Sequence, residues 1–109
     1  MISSYPSIFN FGHKAIETLT DYPVIIEEKV DGSQFSFMRG EDGIIHFRSK
    51  GAEIYFDGEN CNQKMFTAGC RAVWYVRDNL HPGWIYRGEY LSKNKHNALV
   101  YDRVPRDNR

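Results

Sequence analysis

Residues 27–37 read Glu-Glu-Lys-Val-Asp-Gly-Ser-Gln-Phe-Ser-Phe and hold one lysine, Lys29, just before an Asp-Gly pair. The apolar run Val24-Ile25-Ile26 precedes them. Asp-Gly is a common hairpin turn because both residues tolerate positive φ. We therefore predict a strand at 24–30, a sharp turn, and a return strand at 33–39. Such a hairpin would present a single amine on a rigid support, as a covalent lysine nucleophile requires, although a plain structural hairpin has the same spacing.

The two acids before the lysine differ in the face that they would occupy. On a strand, alternation places Glu27 with Lys29 and places Glu28 on the opposite face. Glu27 could then share a pocket with the amine and accept a hydrogen bond from an adenine amino group. Glu28 would more often lie at the rim, and both acids could instead be solvated.

The rest of the chain predicts a mixed order of strands and helices. Apolar spacing and turn residues predict the following elements: a short helix at 12–20, a strand at 44–49, a polar loop at 51–62, one long helix at 63–80, a strand at 84–91, a polar loop at 92–97 and a last strand at 98–104. Strand pairs joined by turns, with helices between them, indicate an α+β fold with an antiparallel sheet.

Composition limits the class of protein. The 109 residues are 41% hydrophobic and 15% aromatic, which is typical of one small globular domain. Fourteen basic residues balance fourteen acidic ones, so nucleic-acid binding would need a local patch. No stretch resembles a membrane span or a signal peptide, so we expect no membrane partner. Cys61 and Cys70 match no zinc pattern and fit a reducing, cytoplasmic compartment, with Cys70 as a buried thiol.

Four segments, in chain order, together resemble a known superfamily. They are Lys29-Val-Asp-Gly, Phe47-Arg-Ser-Lys-Gly, the strand at 84–91 with Gly88-Glu89 inside it, and Leu99-Val-Tyr-Asp-Arg-Val. They resemble motifs I, Ia, III and IIIa of the covalent nucleotidyltransferases, which are ATP-dependent RNA and DNA ligases and mRNA capping enzymes. The resemblance implies a nucleotidyltransferase (ATP-grasp-like) domain over nearly the whole chain.

The residues after Gly32 favour one branch of that superfamily. DNA ligases and capping enzymes usually have an arginine where this chain has Gln34, whereas Ser33-Gln34-Phe35 is similar to the RNA ligases that seal nicks. The resemblance therefore implies an ATP-dependent RNA ligase acting in RNA repair. Its co-substrate would be ATP, its ion Mg²⁺, and its partners RNA ends at a nick or break. The alternatives are a DNA ligase or capping-type enzyme, and a non-catalytic nucleotide-binding remnant.

The resemblance also implies roles for individual residues. Lys29 would attack the α-phosphorus and carry AMP as lysyl-AMP. Glu89 would act on the ribose, and Arg48 on the nucleotide or the RNA end, although an exposed strand arginine is common. Tyr101 would stack on adenine or be a core aromatic. The full nucleotide-binding set is Glu27, Glu28, Asp31, Gly32, Gln34, Arg48, Glu89 and Tyr101, and we assign no residue as a metal ligand.

The superfamily has two further motifs, IV and V, which hold a metal-placing glutamate and a lysine pair that grips the α-phosphate. No segment of these 109 residues matches them, so we expect the N-terminal part of a longer domain, with a C-terminal region or a partner chain supplying the rest. We expect the isolated chain to be inactive or weakly active. Lys93 and Lys95 would form a solvated basic loop, and with Arg103 they are the cations that could substitute.

Overall fold

The computed structural model describes residues 2–92 and 98–101 and has an α+β fold. Four antiparallel strands form one sheet: β1 (Ser33–Arg39), β2 (Ile45–Ser49), β3 (Glu53–Ile54) and β4 (Ile85–Tyr90). Their order across the sheet is β3-β2-β1-β4, so β1 is central. The predicted α+β class with an antiparallel sheet is therefore confirmed.

The helical segments are shorter than the sequence pattern predicts. The helix α1 spans Thr67–Tyr75, and 3-10 turns at Lys64–Phe66 and Arg77–Asn79 extend it at both ends. The single long helix predicted at 63–80 is thus three consecutive segments. The short helix predicted at 12–20 is two 3-10 turns, Lys14–Ile16 and Leu19–Asp21. No helix within the described ranges is both long and apolar enough to cross a membrane.

The strand predicted at 24–30 is wrong. These residues form no regular element, and Ile25 and Ile26 are 88% and 92% exposed. The reason lies in β1, whose two edges are already paired, one with β2 and the other with β4. No edge of β1 is left for a hairpin partner that precedes it, so the apolar run before Lys29 enters the sheet as an extended lead-in.

Alternation along the strands divides the sheet into an apolar face and a polar face. Phe35 and Phe37 of β1 lie on the apolar face, where α1 packs, and aromatic residues of β2 and β4 join them. The buried core consists of Phe35, Phe47, Ile54, Phe66, Cys70, Val73, Leu80 and Tyr90. The opposite face presents polar side chains, namely Gln34, Ser36, His46, Arg48, Arg87 and Glu89.

The centre of the core is an aromatic cluster with a cysteine beside it. The Phe35 ring stacks on Phe66 with centroids 5.5 Å apart, and Phe66 lies 5.2 Å from the Tyr90 ring. Cys70 is completely buried in α1, and this burial raises the pKa of its thiol above the usual range. Cys70 is therefore a protonated structural thiol, as its apolar surroundings in the sequence predict.

Candidate functional site

The structure brings together residues from three of the four motif-like segments where the chain enters β1. The amide of Gly32 donates a hydrogen bond to Glu89 Oε2 over 3.2 Å, joining residues 57 apart in sequence. The amide of Asp31 donates to the hydroxyl of Tyr101, 70 residues away. Asp31, Gly32, Glu89 and Tyr101 therefore meet at one place, and we call these four residues the junction.

The side chain of Asp31 completes the junction from the other side. Its Oδ2 accepts hydrogen bonds from the amides of Ala98 and Leu99, each 2.8 Å long. A carboxylate that accepts two backbone amides ties the segment before Tyr101 to the start of β1. The aspartate of Lys-x-Asp-Gly thus has a structural task here, and a hairpin turn is not part of it.

Gly32 is required by a close contact and not by its backbone angles. Its φ is outside the positive range that the turn glycines of this chain adopt. A Cβ on Gly32 would lie 2.6 Å from the carbonyl oxygen of Tyr90 and 3.1 Å from a methyl group of Leu91. Tyr90 is held opposite Ser33 in the β1–β4 ladder, so the backbone there cannot move away cheaply.

We expect Gly32→Ala to lower the free energy of unfolding by about 1–3 kcal/mol, because the added methyl overpacks a fixed backbone contact. Urea unfolding followed by fluorescence measures the change. Gly51→Ala is the matched control, since a Cβ there meets no described atom within 4 Å and its φ is not positive. Equal stability of the two variants would contradict the close-contact interpretation.

Gln34 and Arg48 lie on the same polar face as Glu89. Gln34 is directly opposite Glu89 in the β1–β4 ladder, so these side chains are cross-strand neighbours. Arg48 is on β2, on the other side of β1, and donates from Nη2 to Ser4 Oγ over 3.1 Å. The prediction that Arg48 leaves the core face is confirmed. It does not contact the junction.

The three residues before the junction are exposed. Glu27, Glu28 and Lys29 have no hydrogen bond or ion pair with other described residues, and they lie on the segment that forms no strand. The expected sharing of one face by Glu27 and Lys29 required a strand, so the structure does not place them together. Lys29 is two residues from Asp31, and its Cα therefore lies within about 7 Å of the junction.

Tyr101 and Gly88 differ from the expectations in informative ways. Tyr101 is half-buried and outside the buried core of the described chain, so its alternative role as a core aromatic is not supported. A Cβ on Gly88 would meet no described atom within 4 Å. It would point into a cavity of about 310 Å³ on the helix side of β4. Packing inside the described chain therefore does not require this glycine.

Sequence reasoning missed Ser36 and Arg87. Ser36 pairs with Arg48 on one side and with Arg87 on the other, so these three side chains form a row across the polar face. Period-two alternation in β4 was the available signal, because it places Arg87 on the same face as Glu89. Lys93, Lys95 and Arg103, and the strand predicted beyond Tyr101, lie outside the described residues.

A larger cavity, of about 660 Å³, lies elsewhere. Residues of β2, β3 and the following loop line it, together with Ile2, and none of the four junction residues does. The site is therefore defined by the hydrogen bonds of the junction and by the polar face of the sheet. Comparisons of the chain with protein-family models, with curated proteins and with solved structures found no match.

Proposed function

We propose that this chain belongs to a cytoplasmic, ATP-dependent RNA ligase with a nucleotidyltransferase fold, in which Lys29 carries AMP. The observation that carries the proposal is the junction. Segments far apart in sequence, which the proposal treats as motifs I, III and IIIa, meet through hydrogen bonds of Asp31 and Gly32. Such convergence of polar residues is expected of a binding site and has no need in a simple β-sheet domain.

In the proposed reaction, the neutral amine of Lys29 attacks the α-phosphorus of ATP. The phosphorus–nitrogen bond forms as the bond to pyrophosphate breaks, and the amine loses a proton to solvent. An oxygen of an RNA 5′-phosphate then attacks the same phosphorus and releases Lys29. Finally, a 3′-hydroxyl attacks that 5′-phosphate and AMP leaves, which joins the strands. In-line positioning supplies most of the catalysis in such transfers.

The junction provides groups that suit the nucleotide. Glu89 is exposed at the polar face, and one of its carboxylate oxygens is held by Gly32, which leaves the other to accept from a ribose hydroxyl. Tyr101 offers a half-buried ring for stacking on a base, an interaction of about 1–3 kcal/mol. Gln34, next to Glu89, can hydrogen-bond a ribose or phosphate without adding charge.

Magnesium has no protein ligand set in this proposal. Among residues 2–92 and 98–101, no group of three His, Cys, Asp or Glu side chains could hold a metal ion. When bound to the ATP phosphates, Mg²⁺ would neutralise charge on the leaving pyrophosphate. Each protein role above is assigned to a side chain of the chain itself.

The test is covalent labelling. The chain is incubated with Mg²⁺ and ATP radiolabelled at the α-phosphate, denatured, and separated by electrophoresis. We expect label to remain on the protein and to be released as AMP when RNA with a 5′-phosphate is added before denaturation. ATP binding without retained label would favour the second candidate, a non-catalytic nucleotide-binding module. That candidate is suggested by the exposed position of Lys29, away from the hydrogen bonds of the junction. Release by 5′-phosphorylated DNA but not RNA would favour a DNA ligase, and release by a 5′-diphosphate RNA would favour a capping-type enzyme.

We expect Glu89→Ala to slow labelling by about tenfold or more, because a hydrogen bond from a charged group to the bound nucleotide is lost. Its melting temperature should change little, since Glu89 is exposed. Glu17→Ala, another exposed acid but far from β4 in sequence, is the control and should label normally. A large fall in melting temperature with normal labelling per folded molecule would assign Glu89 to structure.

A further inference from the structure

The row Arg48–Ser36–Arg87 places two cations around one buried hydroxyl on the polar face. Ser36 is 1% exposed, and both arginines are half-buried. The arginines lie on the strands that flank β1, so their Cα atoms are about 10 Å apart, which is two strand spacings. Two guanidinium groups at this separation can converge on one group above Ser36.

Neutral oxygen atoms now occupy the arginine donors. Arg48 donates from Nη2 to Ser4 Oγ over 3.1 Å. Arg87 donates from Nη2 to the carbonyl oxygen of Ser3 over 2.9 Å and to Ser3 Oγ over 3.1 Å. The Nε of Arg48 is buried and has no hydrogen-bond partner in the described chain. A guanidinium prefers an anionic acceptor, and an unpaired buried donor is costly, so this arrangement is suited to a further ligand.

The nearest carboxylates do not neutralise the pair. Glu53 is opposite Arg48 in the β2–β3 ladder, yet its Oε2 accepts from the hydroxyl of Tyr55 over 3.2 Å. Glu89 is two residues from Arg87, yet its Oε2 accepts from Gly32. Within the described part of the chain, neither guanidinium has a carboxylate within ion-pair distance. The two positive charges therefore remain available to an anion that approaches the polar face.

We propose that Arg48, Arg87 and Ser36 form a phosphate-binding site, in which a phosphate displaces the oxygen atoms of Ser3 and Ser4. Arginine forks match the geometry of phosphate oxygens, and the Ser36 hydroxyl can donate to a third oxygen. The site is on the same face as Gln34 and Glu89, so a ligand there would be continuous with the junction. Its identity as a phosphate of an RNA strand rests on the proposed function, whereas its preference for phosphate does not.

The experiment measures binding of three probes by the 109-residue chain. They are a short RNA with a 5′-phosphate, the same RNA with a 5′-hydroxyl, and ATP. We expect Arg48→Gln and Arg87→Gln each to weaken binding of the 5′-phosphorylated RNA by about tenfold or more, because a charge-assisted hydrogen bond is lost. Arg71→Gln is the matched control, since Arg71 is exposed on α1 and donates to the Glu59 carbonyl oxygen. The double variant Ser3→Ala, Ser4→Ala should bind at least as tightly as the wild type, because two competing acceptors are gone.

The pattern across the probes identifies the source of the phosphate. Weaker binding of only the 5′-phosphorylated RNA assigns the site to a terminal phosphate. Equal weakening of both RNAs assigns it to an internal phosphodiester, and weakening of ATP alone assigns it to the triphosphate. Glutamine variants that melt like the wild type and bind all three probes unchanged would overturn the proposal and leave the arginines as anchors of residues 3–4. If a glutamine variant does not fold, Arg87→Lys keeps the charge and loses the fork, and unchanged phosphate binding in that variant overturns the proposal equally.

The outcome is separable from that of covalent labelling. Arginine-dependent binding of phosphate without any label on Lys29 would reject the ligase proposal and keep the phosphate site. Label on Lys29 with arginine-independent binding of every probe would do the reverse.

Discussion

Replacing Lys29 with alanine is expected to abolish covalent attachment of AMP to the chain. No other lysine in the described chain lies so close to the junction in sequence, since Lys29 precedes Asp31 by two residues. The amine is the nucleophile, so its removal eliminates the step itself. Lys29→Arg should fail as well, because a guanidinium stays protonated at neutral pH. Retained radiolabel after denaturation is the measurement.

The fold of both variants should be unaffected, since Lys29 is exposed and lies outside the sheet. Melting temperatures equal to that of the wild type check this point. Lys64→Ala is the control, because Lys64 is an exposed lysine on the helical side of the molecule and should keep full labelling. Label on the Lys29→Ala protein would mean that another residue carries the nucleotide.

Phe66→Ala is expected to lower the free energy of unfolding by about 3–5 kcal/mol, the cost of emptying an aromatic site in a packed core. Phe66 is 2% exposed and contacts both the Phe35 and the Tyr90 rings. The loss would be a large part of the about 5–15 kcal/mol that stabilises a typical domain. The midpoint of urea unfolding measures it.

Phe11→Ala gives the contrast, because Phe11 is 83% exposed and has little packing to lose. We expect its unfolding midpoint to lie close to that of the wild type. Equal losses at the two phenylalanines would show that the aromatic cluster beneath the sheet is not the centre of stability.

The strands of the sheet were predictable because alternation records which face is buried. Phe35 and Phe37 alternate with polar residues, and the structure places β1 at the predicted 33–39. The strands predicted at 44–49 and 84–91 differ from β2 and β4 by only one residue at an end. The two-residue strand β3 was missed inside a polar loop, because two residues carry no periodicity.

The lead-in before Lys29 shows where local pattern stops being informative. Val24, Ile25 and Ile26 have high strand propensity, but a strand also needs a free edge to pair with, and the partners of β1 come from distant segments. Gly32 teaches the same lesson on a smaller scale. Its residue type suggested a turn, whereas the structure uses it for close approach to Tyr90, a contact that only the tertiary fold creates.

The candidate site was predictable in its members more than in its arrangement. The motif-like segments led to Asp31, Gly32, Glu89 and Tyr101, which the structure brings together. Arg87 and Ser36 were missed because nothing local marks a strand serine between two arginines. Their row exists only through the register of three strands.

The hydrogen bonds of Asp31 also bear on the order in which the molecule assembles. The β1–β2 pair closes a loop of few residues, whereas Asp31 binds amides 67 and 68 residues away. Contacts between distant segments carry a larger entropic cost before they are rewarded, so they tend to form late. The junction is therefore the part of this fold that closes last, and by the same cost it is the part that opens first. Hydrogen exchange at Ala98 and Leu99 would then be faster than within β1, so the place where a nucleotide is proposed to bind is also the place where binding would add most to local order.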